Sequence, residues 1–311
     1  MKTMYLSLIV ILVLSFLLMP LLSFNSSDAV SPVFSADVTL DKDSFLIFLN
    51  ETSEIKEISA NDYIFSVIAA NCPAEYHNEA LKAEAVAAYT FALYIKHEDS
   101  GKFDLNDIDQ GYITEEALKE KWGDSYDETY KKFQEAVKEV KGQKILYNNS
   151  LAYTIRHDIS SGKTEKAEVV LGKDYPYLTT VESVGDLLAS DYLYEITVSV
   201  EEFKKTLQSL SISVGNDPSK YLEGVLKSAV GSVINYKICG KELSGEELKN
   251  IFSLPSLCFD ISFSENVFKI TSKGKGNGVG LSRWGANYMA MQGSSYEEIL
   301  SWYYPSCTMT K

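Results

Sequence analysis

The stretch Ala69–Leu93, "AANCPAEYHNEALKAEAVAAYTFAL", carries the strongest secondary-structure signal in the chain. Apolar residues recur in it at helical spacing, at Leu81, Ala85, Ala88 and Ala92. This spacing predicts a helix over about Ala74 to Lys96, and Pro73 suits a first-turn position because its missing N–H would be unpaired there anyway. We therefore expect a helix to begin just after Asn71.

The composition is that of an ordinary globular chain. The 311 residues are 45% hydrophobic, and 20 of them are tyrosine. A chain of this length buries most of its apolar surface, so one large domain or two smaller ones with a self-sufficient core are expected. The 29 basic and 43 acidic residues give a net charge of −14, which argues against nucleic acid or an anionic lipid surface as the main partner.

The N-terminus, "MKTMYLSLIVILVLSFLLMPLLSF", is uncharged and apolar from about Met4 to Phe24. About 20 such residues span a bilayer, and the preceding Lys2 favours a cytoplasmic start. We predict a retained membrane anchor over residues 1–24, with a cleaved signal peptide as the alternative. A polar linker over 25–34 and an extracytoplasmic domain over 35–311 would follow.

The rest of the chain alternates short strands and helices. The early segments "DSFLIFLN" (43–50) and "YIFSVIA" (63–69) are predicted to be extended or mixed, and a charged helical block is predicted over about Thr114 to Gly142. Two asparagines in "QKILYNNSLAYTIRH" (143–157) predict a β-hairpin, because asparagine tolerates positive φ. The segments predicted after Leu193 are the strand "YEITVSV", the helix "EEFKKTLQSL", the strand "VINYKIC", the helix "SGEELKNIFSL" and the strands "CFDISF" and "VFKITSK". The predicted class is α+β, with mixed helices and short antiparallel strands forming a two-lobed groove.

The stretch "GKGNGVGLSRWGANYMAMQGSSYEEILSWYYPSC" (274–307) holds four glycines between Gly274 and Gly280. Ser282 suits the N-cap of a helix that begins near Arg283. Glycines before a helix allow backbone amides to approach a ligand, while a tight turn explains the same residues without one. The stretch lacks both the Lys-Ser or Lys-Thr ending of a P-loop and the βαβ context of a dinucleotide site, so neither phosphate motif is predicted.

Three segments together resemble the stage II sporulation protein D family, which includes the amidase-enhancer proteins of bacterial cell walls. "EALKAEAVAAYTFAL" (79–93) resembles the family's "EALKAQAVAARTYAL", and "AYTIRHDISSGKTE" (152–165) resembles its "FHSSSGGKTE" hairpin. "GNGVGLSRWGA" (276–286) and "GSSYEEILSWYYP" (293–305) resemble its "GHGVGMSQYGA" and "ILxxYYPGT" segments. The resemblance covers about Asn61 to Thr308 and implies the family's fold.

The resemblance also implies an activity. It implies a protein of endospore formers, anchored in the mother-cell membrane and facing the intermembrane space, that cleaves peptidoglycan as a lytic transglycosylase during engulfment. The implied partners are glycan strands whose stem peptides a stage II sporulation protein P-type amidase has removed, together with membrane proteins of the engulfment complex. The chemistry needs one carboxyl group, which protonates the glycosidic oxygen and then takes the proton of the sugar's own 6-hydroxyl.

This chain differs from the family at the position of that carboxyl group. The family's glutamate lies in a stretch like "AAEMP", and the chain reads "AANCP", with Asn71 in its place. An amide does not titrate, so it can hold a substrate oxygen but cannot move a proton. Tyr89 and Asn277 likewise stand where the family has arginine and histidine. The resemblance with these changes predicts a catalytically degenerate member that still binds glycan strands.

The groove implied by the resemblance is formed by the helix after Asn71, the hairpin of His157 and the loop Gly274 to Trp284. Its expected substrate-binding residues are Tyr89, His157, Ser160, Gly162, Thr164, Glu165, Asn277, Gly278, Gly280, Ser282, Arg283 and Trp284.

Two enzymatic alternatives are open. In the first, Glu75 or Glu79 replaces the lost acid, since each follows Asn71 by whole helical turns and would share its face on one helix. In the second, Cys72 is the nucleophile of a different enzyme class, because a cysteine before a helix N-terminus can have a lowered pKa. No Cys/His/Asn set that would support such a nucleophile is legible in the sequence.

The histidines and cysteines also bear on metal and disulfides. Cys72, His77 and His157 are candidates for a zinc site, but no C-x-x-C pair anchors one, and no cofactor is predicted. The extracytoplasmic compartment permits disulfides. Sequence leaves open whether Cys239 pairs with Cys258, Cys72 with Cys307, or neither.

Overall fold

The computed structural model describes residues 44–49, 54–98 and 111–311. The predicted anchor (1–24) and linker (25–34) lie outside these ranges. Within them, no helix combines the length and the apolar character that crossing a membrane requires.

Helices and short strands alternate along the described chain, which confirms the α+β class. The helices are α1 (Ala60–Asn71), α2 (Asn78–Glu98), α3 (Glu115–Trp122), α4 (Tyr126–Glu139), α5 (Ala167–Leu171), α6 (Val200–Ser209), α7 (Gly245–Ile251), α8 (Arg283–Met291) and α9 (Tyr296–Tyr303), with 3-10 turns at Gly123–Ser125, Val184–Leu188 and Pro218–Lys220. The strands are β1 (Ser44–Leu49), β2 (Glu54–Ser59), β3 (Lys144–Tyr147), β4 (Ser150–Leu151), β5 (Arg156–His157), β6 (Leu193–Ser199), β7 (Leu222–Lys227), β8 (Val233–Ile238), β9 (Lys241–Ser244), β10 (Phe259–Ser264), β11 (Val267–Lys273), β12 (Leu281–Ser282) and β13 (Thr308–Thr310).

Helix α1 corrects one prediction. The segment 63–69 is helical rather than extended or mixed, and Ser59 caps the helix by accepting the amide of Asp62 at 3.2 Å. The buried residues Tyr63, Ile64, Val67 and Ile68 recur at i, i+1, i+4 and i+5, which is the spacing of one helical face. Packing of this face against α2 outweighs the modest helix propensity of β-branched residues.

A turn at 72–77 separates α1 from α2. Helix α2 begins at Asn78, four residues after the predicted start at Ala74, and Pro73 lies in the turn instead of in the first helical turn. The family's glutamate position is therefore the last residue of α1, and it does not share a helix with the residues of α2.

Several local predictions are confirmed. Strands β3 and β4 pair antiparallel across Asn148 and Asn149, whose φ angles are 49° and 63°. The helical block predicted over 114–142 is present as α3 and α4, interrupted at Gly123 with φ 50°. The four strands and two helices predicted after Leu193 are observed as β6, β8, β10 and β11 with α6 and α7, whereas β7 and β9 were not predicted.

Two separate clusters of buried residues form the interior. The helical core surrounds α2, whose alanines at 80, 83, 85, 87, 88 and 92 are each at most 2% exposed and allow α1, α4, α8 and α9 to approach closely. The sheet core lies wholly within residues 203–270, between the antiparallel sheets β10-β11-β6 and β7-β8-β9 and the helices α6 and α7.

One strand pair departs from the antiparallel pattern. Strands β5 and β12 pair in parallel, with Arg156 opposite Leu281 and His157 opposite Ser282. The pair brings the hairpin of His157 beside the glycine-rich loop, as the resemblance implied.

Candidate functional site

The site is built from three segments: the turn after Asn71, the hairpin 156–165 and the loop 274–284. Backbone hydrogen bonds join the last two: Ile159 and Lys275 exchange N–H···O bonds of 3.0 and 2.7 Å, and the Glu165 amide donates to Gly278 O at 2.7 Å. The hairpin and the loop therefore form one continuous wall.

The loop glycines serve this backbone contact. A Cβ at Gly280, where φ is +73°, would lie 2.0 Å from the carbonyl oxygen of Ile155, and a Cβ at Gly276 would lie 2.9 Å from the Cβ of His157. The hairpin packs against the face of the loop on which the glycines have no side chain. The structure thus accounts for these glycines by close packing, without a ligand at the helix N-terminus.

Asn71 is half-buried at the end of α1. Its Nδ2 donates to the carbonyl oxygen of Val67 at 2.8 Å, and its side chain lies against Gly111. A carbonyl oxygen has two lone pairs, so Val67 O can accept a side-chain donor in addition to a backbone amide. A side-chain amide supplies such a donor and an ionised carboxylate does not.

The two substitute acids do not share a face with Asn71, because the helix predicted to carry all three is broken at 72–77. Glu75 is exposed in that turn. Lys121 donates to Ala69 O and Ala70 O in the last turn of α1 at 2.8 and 3.0 Å, and Lys132 donates to Ala74 O in the turn at 2.9 Å. Burial lowers the pKa of both lysines, and the nearby Glu75 carboxylate opposes that shift.

Glu79 is committed to structural contacts. Its Oε1 pairs with Lys82 Nζ at 2.8 Å, and its Oε2 accepts the Tyr296 amide at 2.8 Å, which links α2 to α9. Burial pushes the pKa of Glu79 upward, but the hydrogen bonds from Lys82 and Tyr296 outweigh it, and the pKa is lowered. A general acid at neutral pH needs the opposite shift.

Cys72 does not have the environment of a nucleophile. Its side chain is 1% exposed, and burial, with a smaller contribution from Glu84, raises the pKa of the thiol. The thiol is therefore protonated at neutral pH, contrary to the lowered pKa that a nucleophile needs. All four cysteines carry free thiols, so neither the Cys239/Cys258 pair nor the Cys72/Cys307 pair is bridged.

The zinc candidates are dispersed. His77 is exposed, and its Nδ1 accepts the Glu79 amide at 3.2 Å. His157 is buried and donates from Nδ1 to Val279 O at 3.0 Å, and burial lowers its pKa although Asp186 opposes this. No group of three His, Cys, Asp or Glu side chains suited to a metal ion occurs among the described residues. The structure therefore gives the zinc alternative no support.

Several expected substrate-binding residues hold the fold. Thr164 donates to Thr179 O at 2.9 Å and accepts the Val181 amide at 2.8 Å. Ser282 caps α8, and the indole of Trp284 donates to Gly185 O at 3.1 Å. Tyr89 packs edge-on against the ring of Phe45, 6.3 Å between ring centroids.

Other expected residues line a small surface pocket between the hairpin, the loop and the sheet core. They are Ser160, Glu165, Asn277 and Gly278. The Glu165 carboxylate accepts the Ser228 hydroxyl at 2.5 Å, and Asn277 Oδ1 accepts the Val279 amide at 2.9 Å. The remaining lining residues are Ile159, Ser161, Lys163, Val230, Ser232, Ser256, Leu257, Cys258, Lys273 and Gly276. These residues place hydrogen-bond donors and acceptors beside apolar side chains.

Asp186 is a site residue that the sequence analysis missed. It is fully buried, with Oδ2 accepting the Ser160 amide at 2.8 Å and Oδ1 accepting the Ser282 hydroxyl at 2.7 Å. It thereby ties the hairpin to the start of α8. Its surroundings in sequence, "VGDLL", read as an ordinary turn and give no signal of this role.

A charged cluster was also missed. Glu84 Oε1 accepts Arg156 Nε at 2.8 Å and Arg283 Nε at 3.1 Å, and Arg283 Nη1 donates to Asp158 at 2.7 Å. Arg283, expected to bind substrate, thus faces two carboxylates and is 10% exposed. The sequence did contain a signal of this cluster. Glu84 is charged, whereas the family pattern "EALKAQ" has an uncharged glutamine at that position.

Comparison with known proteins places this geometry in context. The family model described as "Stage II sporulation protein" matches residues 49–147. "Stage II sporulation protein D" of Bacillus amyloliquefaciens is 32% identical, covering 83% of this chain and 76% of that protein, and the Bacillus subtilis (strain 168) protein of the same name is 30% identical over 84% and 77%. "Amidase enhancer" of Bacillus subtilis (strain 168) is 23% identical over 78% of this chain and 40% of its own length.

Proposed function

The chain belongs to the stage II sporulation protein D family, and from this premise we propose that it binds peptidoglycan glycan strands in sporulation without cutting them. The observation that carries the proposal is Asn71. At the position of the family's glutamate, its amide donates to the carbonyl of Val67 at the end of α1.

The proposed loss of activity follows from the chemistry. Cleavage to an anhydro sugar needs one group that first gives and then takes a proton, and an amide does neither. Loss of a general acid costs about 10²- to 10⁴-fold in rate, and here both proton transfers would be lost. Glu79 offers no substitute, since its carboxylate is paired with Lys82 and its pKa is lowered.

Glu75 supports the alternative, an active lytic transglycosylase. Its side chain is exposed in the turn that follows Asn71 and makes no ion pair within the described residues. It therefore has the access to solvent that a replacement acid would need. Against it, Lys132 fixes the turn through Ala74 O, and within the described residues no hydrogen bond or ion pair orients the Glu75 carboxylate.

Binding is proposed to use the pocket between the hairpin, the loop and the sheet core. Its lining offers hydrogen-bond donors and acceptors from serines, Asn277 and Lys273 together with apolar side chains. The proposed setting is a chain anchored through residues 1–24, with the domain facing the intermembrane space. A stage II sporulation protein P-type amidase and membrane proteins of the engulfment complex are the proposed partners, and the similarity to a protein named amidase enhancer supports an amidase context.

Co-sedimentation of the purified chain with peptide-free glycan strands tests the binding. Lys273 lines the pocket, so Lys273→Gln should reduce the bound fraction about tenfold through loss of a charged donor. Lys269→Gln is the matched control on the same strand, because Lys269 pairs with Glu195 at 2.7 Å on the sheet. Sedimentation that is absent for the wild type, or equal for both variants, would contradict the proposed binding surface.

A further inference from the structure

A buried ion cluster joins α2, the hairpin and α8. Its centre is the Glu84 carboxylate, 2% exposed, which pairs with Arg156 (4% exposed) and Arg283 (10% exposed) through the same oxygen, Oε1. The other oxygen, Oε2, is buried and has no hydrogen-bond partner in the described structure. Both guanidinium groups therefore contact the same oxygen atom of one carboxylate.

Each of the three residues differs from the family pattern at its position. Glu84 stands at the glutamine of "EALKAQ", Arg156 at the phenylalanine of "FHSSSGG" and Arg283 at the glutamine of "GMSQYG". The quoted family patterns have uncharged residues at these three positions. We propose that Glu84, Arg156 and Arg283 work as one unit, with Glu84 as the positioning residue that fixes the hairpin and α8 against α2.

The energetics of buried charge set the behaviour of such a unit. Removing one partner of a buried pair is strongly destabilising because the other charge stays buried and unpaired, whereas replacing the whole set by uncharged residues is often neutral or stabilising. Glu84→Gln would remove the buried negative charge that both guanidinium groups contact, although Arg156 still donates to Thr154 O at 3.1 Å and Arg283 to Asp158. Arg283→Gln would leave Glu84 still paired with Arg156, so its effect should be smaller.

The outer end of the cluster reaches the pocket wall. Arg283 holds Asp158, whose side chain is 36% exposed and also pairs with Lys275 at 3.3 Å. Asp158 immediately precedes Ile159, and Lys275 immediately precedes Gly276, and both of these neighbours line the pocket. A change at Glu84 should therefore displace the pocket wall even though Glu84 itself does not line it.

Melting temperature and strand binding of the full chain test the inference together. We expect Glu84→Gln to lower the melting temperature by about 10 °C, Arg283→Gln by less, and the triple variant Glu84→Gln/Arg156→Phe/Arg283→Gln to melt within about 3 °C of the wild type or above it. Glu79→Gln is the matched control, an ion-paired carboxylate on the same helix that is 23% exposed, and it should lower the melting temperature by about 2 °C or less.

Below its own melting temperature, Glu84→Gln should bind peptide-free strands about tenfold more weakly, and the triple variant should recover binding.

Each outcome is decisive. Melting of Glu84→Gln within about 2 °C of the wild type, or of the triple variant as low as the single variant, would overturn the cluster as a unit. A Glu84→Gln chain that melts early but binds like the wild type would overturn the positioning role. If Glu84→Gln does not fold, a triple variant that folds supports the unit, and a triple variant that also fails to fold refutes the unit. The binding readout rests on the proposed function, so a wild-type chain that binds no strands counts against that function, while the melting temperatures still test the cluster.

Discussion

At the scale of single residues, Asn71 fits its place as a donor. The Val67 carbonyl lies near the end of α1, and its oxygen accepts the Asn71 side-chain amide at 2.8 Å. An ionised glutamate would present only acceptors to the same carbonyl. The substitution therefore removes a titratable group and adds a local hydrogen bond, which is compatible with a position that no longer serves proton transfer.

Gly280 offers a direct test of how closely the backbone of the loop approaches the backbone of the hairpin. A Cβ there would lie 2.0 Å from Ile155 O, at φ +73°. We expect Gly280→Ala to lower the free energy of unfolding by about 3 kcal/mol or more, because the hairpin and the loop must separate. Urea unfolding followed by circular dichroism measures the change.

Gly293 supplies the control for that variant. Its φ is +97°, and a Cβ there would meet nothing within 4 Å, so Gly293→Ala has the conformational cost of positive φ without the clash, about 1 to 2 kcal/mol. Equal losses in the two variants would show that the hairpin does not approach the loop as closely as described.

At the scale of elements, Glu79 links α2 to α9 through Lys82 and the Tyr296 amide. Because its pKa is lowered on folding, the stability it contributes is fully present above its ordinary value of 4.5 and is lost as the pH falls through the folded-state pKa. We expect the wild type to exceed Glu79→Gln by about 0.5 to 1 kcal/mol at neutral pH, since the group is partly exposed. The difference should shrink as the pH falls from neutral to below 4.5.

Chemical unfolding of both proteins across this pH range measures that difference. Glu120→Gln is a suitable control, because Glu120 is exposed on α3 and makes no ion pair within the described residues. A difference that stays constant with pH, or grows on acidification, would show that the Glu79 contacts do not stabilise the charged carboxylate.

The elements also show what the sequence could predict. The turn of Asn148 and Asn149 and the capped start of α8 were predictable, because each depends on a local preference for positive φ or for an N-cap side chain. Helix α1 was not, since its short apolar run fits a strand or a helix equally well until α2 packs against it. The turn at 72–77 was also missed, because Pro73 suits both a first helical turn and a loop.

At the scale of the whole molecule, the order of the motifs predicted which segments meet. It did not predict which buried side chains hold those segments together. The hairpin and the glycine-rich loop pair as expected through β5 and β12. The buried partners of those segments, Asp186 and Glu84, lie far from them in sequence, and their roles depend on the packed geometry. Segments could thus be assigned from sequence, while the residues that fix their positions required the structure.

The most direct test of the central claim is a search for anhydromuramyl products by mass spectrometry. The purified chain is incubated with peptide-free glycan strands, beside Asn71→Glu and Glu75→Gln variants and an active lytic transglycosylase as a positive control. We predict that the wild type sediments with the strands and releases no anhydro products, because Asn71 cannot transfer a proton. Anhydro products from the wild type that disappear in Glu75→Gln would contradict this account and identify Glu75 as the acid.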